Sequence, residues 1–546
     1  MTKDLNSRIW LSDGMDYHFP EQSLDEVMDK PNTGVCFSGG GTRAMTATMG
    51  QLRALDHLGL IPDIRYISCV SGGSWATTIY IYYRGSEDIL GPVTRPQDID
   101  KEHLAHGLTS SQLAYGAAKS LLKAALSWQL DIIDVDYTSH DTWNYSVGEV
   151  YLEDFGLFDT DKAASHPEEV SYFSYDQTTV DEIKRCNPSL NDKTFLLVDP
   201  GKPYPIINSC MILPEGDDDD DEEHYDLLNF EYTPLTVGRP YATTIDGKTY
   251  GGSFIEPFAY RGAASDPTAN PHSCPASVRS LDSAGYINIS MPDRPFSLTE
   301  TTGASSADYA QATFEVFGRD FGVLELAPQD LYWAVNEEVH FGDGGFLDVS
   351  GIIPLLQRGV DHIIAFINTS TKLDITYEPS DAANNDPGAR CDETILALFG
   401  YNNTAWGTSR PYSHVFAKSE FAGVLAQFKE KKKNKQPMIV AAEHTVVQND
   451  YWGVKGGRQV SVTWYYLDEC GAWEEQLPKD TQKQIKNSGD FDLFPNYKTI
   501  GQNSRFLHPT IVELTNEQVT LLADFTCGCM LMDKDTIINA IRPSSS

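Results

Sequence analysis

Long apolar runs are missing from this chain. No stretch approaches 18 consecutive apolar residues, which excludes a membrane-spanning helix from the reading. Basic charge is scarce: 41 Lys and Arg stand against 78 Asp and Glu, a net charge of −37. That balance argues against nucleic acid as a partner and against strongly anionic membranes. The first residues, "MTKDLNSRIWLSDGMDYHFP", lack a basic segment followed by an apolar one, so no secretory signal is read there. The nine cysteines are odd in number and irregularly spaced, which fits neither a disulfide framework nor a zinc site. Their closest pair, Cys527 and Cys529, has no second pair to complete a metal site. The expectation is a cytoplasmic protein with reduced thiols and no bound metal. The acidic run at 217–223 has no EF-hand spacing around it and reads as a solvated loop.

What is present begins at residue 34, after a polar N-terminal extension over residues 1–33. "GVCFS" is a short apolar strand followed by Gly39, Gly40 and Gly41. Met45, Met49, Leu52 and Leu55 then fall on one helical face, with Gly59 placed to stop the helix. "RYISCV" (65–70) is a second strand, and "SGGSWATTIYIYY" turns at once into another helix. Strand, helix, strand, helix in this order predicts a parallel sheet. "HIIAFI" (362–367) reads as a further buried parallel strand, and "LAYGAAKSLLKAALSW" (113–128) as a helix packed on the core. The basic cluster "FKEKKKNKQP" (428–437) reads as a solvated loop, with lipid headgroups as the alternative.

The glycine triplet permits two chemistries. Gly39, Gly41 and Ala44 fit a dinucleotide-binding turn, for which Asp56 or Asp63 would have to reach the ribose. Such an acid belongs at the end of the second strand, where this chain has Val70 and Ser71 instead. No Gly-Lys-Ser/Thr follows the triplet, so it is not a P-loop. "CVSGGS" (69–74) is close to a nucleophile elbow, with Ser71 on the strand-to-helix turn and Cys69 in place of the first glycine. Glycine-loop N–H groups beside a reactive serine can hold the charge that develops on a carbonyl oxygen. A serine also needs a base. His340, His362, His414 and His508 have no distinguishing context, whereas Asp343 lies in the glycine-flanked turn "GDGG", where a purely structural turn role is the alternative.

Together, "SGGGTRAM", "VSGGSW", "DGG", "PLLQRGVDHIIAFINTS", "FEYTPLTVG" and "YGGSFIEPF" resemble the cytosolic phospholipase A2 branch of the patatin-like lipid acyl hydrolases over about 34–370. The resemblance implies an α/β fold with a mixed, mainly parallel central sheet flanked by helices. A cap or lid would be inserted within 85–330, and 34–546 would form the catalytic domain. It implies a Ser–Asp dyad without histidine: Ser71 as nucleophile, Asp343 as base, and Gly40 and Gly41 as the oxyanion hole. Arg43, Arg358 and Gly72 would bind substrate, with a structural ion pair as the alternative for each arginine. The substrate would be a phospholipid or lysophospholipid, met by transient membrane-surface contact and hydrolysed through an acyl-serine without a cofactor. An acyltransferase using the same acyl-enzyme and an inactive lipid-binding protein are the rival readings. Only about 33 residues precede the glycine loop, fewer than a calcium-binding C2 domain needs, so calcium-independent action is expected.

Overall fold

The computed structural model describes residues 4–12, 17–131, 139–213, 227–245, 248–260, 284–307, 340–379, 390–401, 413–486, 489, 491–502 and 509–543. Twelve strands form the main sheet: β1 (Asp4–Leu11), β2 (Thr33–Phe37), β3 (Tyr66–Val70), β4 (Tyr204–Ile212), β5 (Leu227–Tyr232), β6 (Val237–Arg239), β7 (Ser253–Ile255), β8 (Ala284–Ser290), β9 (His340–Asp343), β10 (His362–Ile367), β11 (Ile439–Thr445) and β12 (Gln459–Tyr466). Their order is β8-β1-β7-β6-β5-β4-β3-β2-β10-β12-β11, and β9 pairs with β4 beside that path.

The sheet is mixed, as expected, but it is not mainly parallel: among the described residues seven of its eleven strand pairings are antiparallel. Parallel pairing is confined to β4-β3-β2-β10-β12. The sheet's strands between 204 and 255 succeed one another in sequence, and each pairs antiparallel with the next. The central parallel strands are buried on both faces. Val35 and Phe37 of β2 point into one apolar cluster and Cys36 into the other. The first cluster is closed by α1 (Gly41–His57), α2 (Gly72–Tyr82) and the C-terminal α6 (Asn516–Met532); the second by α4 (Ile353–Gln357) and α5 (Phe421–Lys433). The remaining helix of interest, α3 (Leu298–Ala304), lies beside α2. At Gly50, α1 crosses α6 so closely that a Cβ would overlap the Ala523 carbonyl, and Thr526 Oγ1 donates to Ala47 O (3.1 Å). Gly59, at φ +65°, ends α1 as its sequence position predicts.

Three expectations change. The polar segment 1–33 is no detached extension, because β1 pairs with β7 and β8 within the sheet. Asn6, Ser7 and Arg8 of β1 are buried: Arg8 pairs with Glu182, its backbone N–H donates to Glu256 (2.7 Å), and the Asn6 backbone N–H donates to Asn187 Oδ1 (2.7 Å). The interval 85–330, within which a lid is expected, supplies five sheet strands among its described residues. The helix expected over 113–128 divides into a 3₁₀ segment, Leu113–Ala118, and a helix from Leu121 to Asp131. The basic cluster ends α5 rather than forming a loop, and its lysines meet carboxylates: Lys429 with Glu378, Lys431 with Asp533 and Lys432 with Asp468, each at 2.7 Å. The acidic run 217–223 lies outside the described residues.

Candidate active site

The parallel strands β2, β3, β10 and β12 run in one direction, so their carboxyl ends share one edge of the sheet. That edge is where α/β folds gather reactive groups. Gly39–Gly41 follow β2, Ser71 follows β3, and Asn368 follows β10. Ser71 is a true elbow, with φ 52° and ψ −127°. A non-glycine residue in such a conformation carries strain on the order of 1–3 kcal/mol, which the surroundings must offset. Cys69 does not disturb the turn; its side chain is buried and its thiol faces the Ile206 carbonyl (3.6 Å). The Ser71 N–H is held by both the carbonyl (3.1 Å) and the hydroxyl (3.0 Å) of Ser305. Ser305 Oγ in turn donates to Asn208 O (2.7 Å). Trp75 Nε1–H donates to Ser306 (3.0 Å), which ties α2 to the end of α3.

Strand register brings Ser71 and Asp343 together. Val70, the residue before Ser71, is paired with Asn208 of β4. Asp343 is paired with Ser209, the next residue on the same strand. Since β3 is parallel to β4 and β9 antiparallel to it, the carboxyl ends of β3 and β9 converge on one edge of β4. The Asp343 carboxylate accepts the Gly345 N–H (2.7 Å), which fixes its direction. Ser71 is 3% exposed and Asp343 4%.

The glycine loop lies against the serine. A Cβ built on Gly39 would sit 3.1 Å from Ser71 Cβ and 3.7 Å from its Oγ. Gly40 (φ +133°) and Gly41 (φ +55°) adopt conformations that favour glycine. Gly72 packs on the Gly41 backbone, where a Cβ would overlap it, and a Cβ on Gly73 would lie 2.7 Å from Phe37 O. Gly72, expected to contact substrate, also lets α2 approach the glycine loop closely. The dinucleotide reading fails on geometry. Asp56 lies at the far end of α1, a helix of 17 residues and hence about 25 Å long, and Asp63 follows it, ion-paired to Arg542.

The two arginines do not line an open phosphate site. Arg43 is buried, with Nε donating to Asn368 O (2.7 Å) and Nη1 to Tyr497 O (2.7 Å) and Thr499 Oγ1 (3.4 Å). Arg358 has a fully buried side chain that pairs with Glu21 (2.7 Å) and Glu231 (2.6 Å). Phe19 lies over its guanidinium at 3.8 Å. Burial works to lower the Arg358 pKa, but Glu21 and Glu231 outweigh it and hold the group above its ordinary value. The expectation of substrate binding by Arg358 is therefore corrected to the structural ion pair. Among the histidines, His362 begins β10 at the opposite edge, and His414 contacts Phe416 O (2.9 Å). His508 and the side chain of His340 lie outside the described residues. Sequence reasoning missed Ser305, Asn208 and Thr499, none of which sits in a recognisable motif.

No protein-family model matches the chain. Among curated proteins, a stretch of 117 residues is 32% identical to human cytosolic phospholipase A2 zeta, covering 20% of this chain and 14% of that protein. Over 84 residues it is 39% identical to human cytosolic phospholipase A2 delta, covering 15% and 9%. The mouse zeta protein matches at 46% over 65 residues, covering 12% and 8%. The matched stretches therefore span only a small part of these relatives. Superposition on human GIVD cytosolic phospholipase A2 covers 96% of this chain and 62% of that one, at 13% identity and a TM-score of 0.46.

Proposed function

Starting from sequence relatives that are cytosolic phospholipases A2, we propose that this chain hydrolyses fatty-acyl esters of phospholipids or lysophospholipids. The observation that supports the reading is the strand register: Val70, just before Ser71, pairs with Asn208 of β4, and Asp343 pairs with the next residue, Ser209. Asp343 removes the Ser71 hydroxyl proton as Oγ attacks the ester carbonyl. The carbonyl oxygen takes up negative charge and is met by the N–H groups of Gly40 and Gly41; one such donor is worth about 3 kcal/mol in the transition state. Collapse expels the alcohol, which leaves with the proton from Asp343, and an acyl-serine remains. Asp343 then deprotonates water for its hydrolysis. Arg43 keeps the glycine loop in place. Neither step uses a metal, so chelating calcium with EGTA should leave the rate unchanged. The substrate would be met at the cytoplasmic surface of a membrane, by transient contact.

The test is intact-mass labelling with a lipid-like fluorophosphonate. Wild type should gain one adduct, Ser71→Ala none, and Asp343→Asn should react at least about a hundredfold more slowly, as loss of a general base requires. An adduct that persists in Ser71→Ala would assign the chemistry to another residue. Wild type that stays unlabelled in the presence of lipid micelles would end the hydrolase reading.

A further inference from the structure

The oxyanion loop has a mechanical problem that its glycines create. The peptide joining Gly40 to Gly41 lies between two residues without Cβ atoms, both at positive φ. Turning over a peptide plane changes ψ of the first residue and φ of the second, and glycine tolerates either outcome. The carbonyl and N–H of a trans peptide point in opposite directions. Whatever holds the Gly40 carbonyl therefore decides where the Gly41 N–H points.

Two groups hold that carbonyl. One is the Ala44 N–H of α1, at 3.3 Å, which is long for such a bond. The other is the hydroxyl of Thr499, at 2.8 Å, from a segment 459 residues away in sequence. A threonine hydroxyl has one proton, and a neighbouring donor settles where it goes. Arg43 Nη1 approaches Thr499 Oγ1 at 3.4 Å, and arginine can only donate, so Thr499 directs its own proton to Gly40 O. Arg43 is fixed in turn by the carbonyls of Asn368 and Tyr497 (both 2.7 Å). Gly40 makes room for it, since a Cβ there would overlap the guanidinium. Thr499 is buried.

We propose that Thr499 is a positioning residue for the oxyanion hole: its hydroxyl pins the Gly40 carbonyl and so aims the Gly41 N–H at the reacting ester oxygen. The inference rests on the Ser71 acyl-enzyme reading, and it makes the C-terminal segment part of the reaction's apparatus without contact with substrate. Because the aimed group matters only when charge develops on the ester oxygen, its loss should fall on the chemical step and spare ground-state binding.

Thr499→Val keeps the shape and removes the hydroxyl; Thr499→Ser keeps the hydroxyl. Each is compared with wild type for the rate of fluorophosphonate acylation at Ser71, and for kcat and KM on lysophospholipid in detergent micelles. Losing an oxyanion donor outright costs roughly 10²–10³-fold, so a donor left free to turn away should cost about 10–100-fold. Thr499→Val is expected to lose that factor in both acylation and kcat, with KM within about twofold and Thr499→Ser within about threefold of wild type. Acylation by Thr499→Val at the wild-type rate would overturn the proposal. So would equal losses in the Val and Ser variants, which would mark a packing role. If wild type itself does not label at Ser71, the hydrolase reading fails and this inference falls with it, an outcome distinct from the other two.

Discussion

Two buried arginines, Arg43 and Arg358, occupy regions that differ in what the guanidinium is asked to hold. Around Arg43 the acceptors include the carbonyls of Asn368 and Tyr497 and the hydroxyl of Thr499, oxygens from chain segments that meet beside the glycine loop. Around Arg358 they are chiefly the carboxylates of Glu21 and Glu231, on the other face of the sheet, with a longer contact to Pro354 O (3.4 Å) and the Phe19 ring above. The first region orders backbone; the second neutralises charge. Both arginines stand in motifs that resemble one enzyme family, yet the resemblance alone does not separate their roles. The partners do.

The sharpest test of this contrast is Arg358→Met. It leaves Glu21 and Glu231 buried without their counter-charge, and breaking such a pair costs about 3–5 kcal/mol. Urea unfolding should show that loss, while Ser71 labelling per folded molecule stays near wild type. Adding Glu21→Gln and Glu231→Gln should recover much of the stability, since the desolvated charges are then gone. If labelling collapsed while stability held, Arg358 would belong with the site and the contrast would break. Arg43→Lys should do less to stability and more to chemistry. Lysine keeps the charge but not the planar fork that reaches several acceptors at once. Each buried acceptor left unmatched costs about 1–3 kcal/mol, and acylation of Ser71 should slow by about tenfold as the loop loses its support. A Lys variant that labels at the wild-type rate would make Arg43 a second structural residue of the Arg358 kind.

The sequence announces the parts of the molecule whose geometry is local. The strand before the glycines, the helix stopped at Gly59 and the elbow at Ser71 are each set by residues a few positions apart, so periodicity and turn chemistry reveal them. Parts set by distant partners stay hidden. "DLNSRIWL" looks like an exposed polar lead, but Arg8 finds Glu182 and Glu256 and becomes part of a buried strand. The lysines after Phe428 look solvated until Asp468 and Asp533 are brought beside them. Thr499 is the extreme case. Nothing around it marks a role, because its one informative bond reaches across to Gly40. Asp343 lies between these limits: its glycine-flanked turn is visible, but its approach to Ser71 depends on both strands pairing with β4.

A third charged cluster sets the smallest expected effect. Arg53 of α1 pairs with Asp524 of α6 (2.7 Å), and His103 joins the same carboxylate from the side (2.6 Å). This cluster resembles that of Arg358 in using a carboxylate, but His103 remains partly exposed and can titrate. The hydrogen bond to Asp524 raises the His103 pKa; burial opposes it, Asp100 adds to it and Arg53 subtracts. A raised folded-state pKa contributes stability that is fully present below the unfolded value of about 6.5 and is lost as pH climbs through the folded value. Wild type and His103→Gln should therefore differ most in urea midpoint at pH 5.5 and converge at high pH. The Ser71 labelling rate, corrected for folded fraction, should not separate the two proteins at any pH, because Arg53 and the Thr526–Ala47 hydrogen bond still tie α1 to α6. A labelling profile that shifted with His103 would mean that the α1–α6 contact reaches the glycine loop at the start of α1. The boundary between charge-neutralising and backbone-ordering regions would then run through α1 itself.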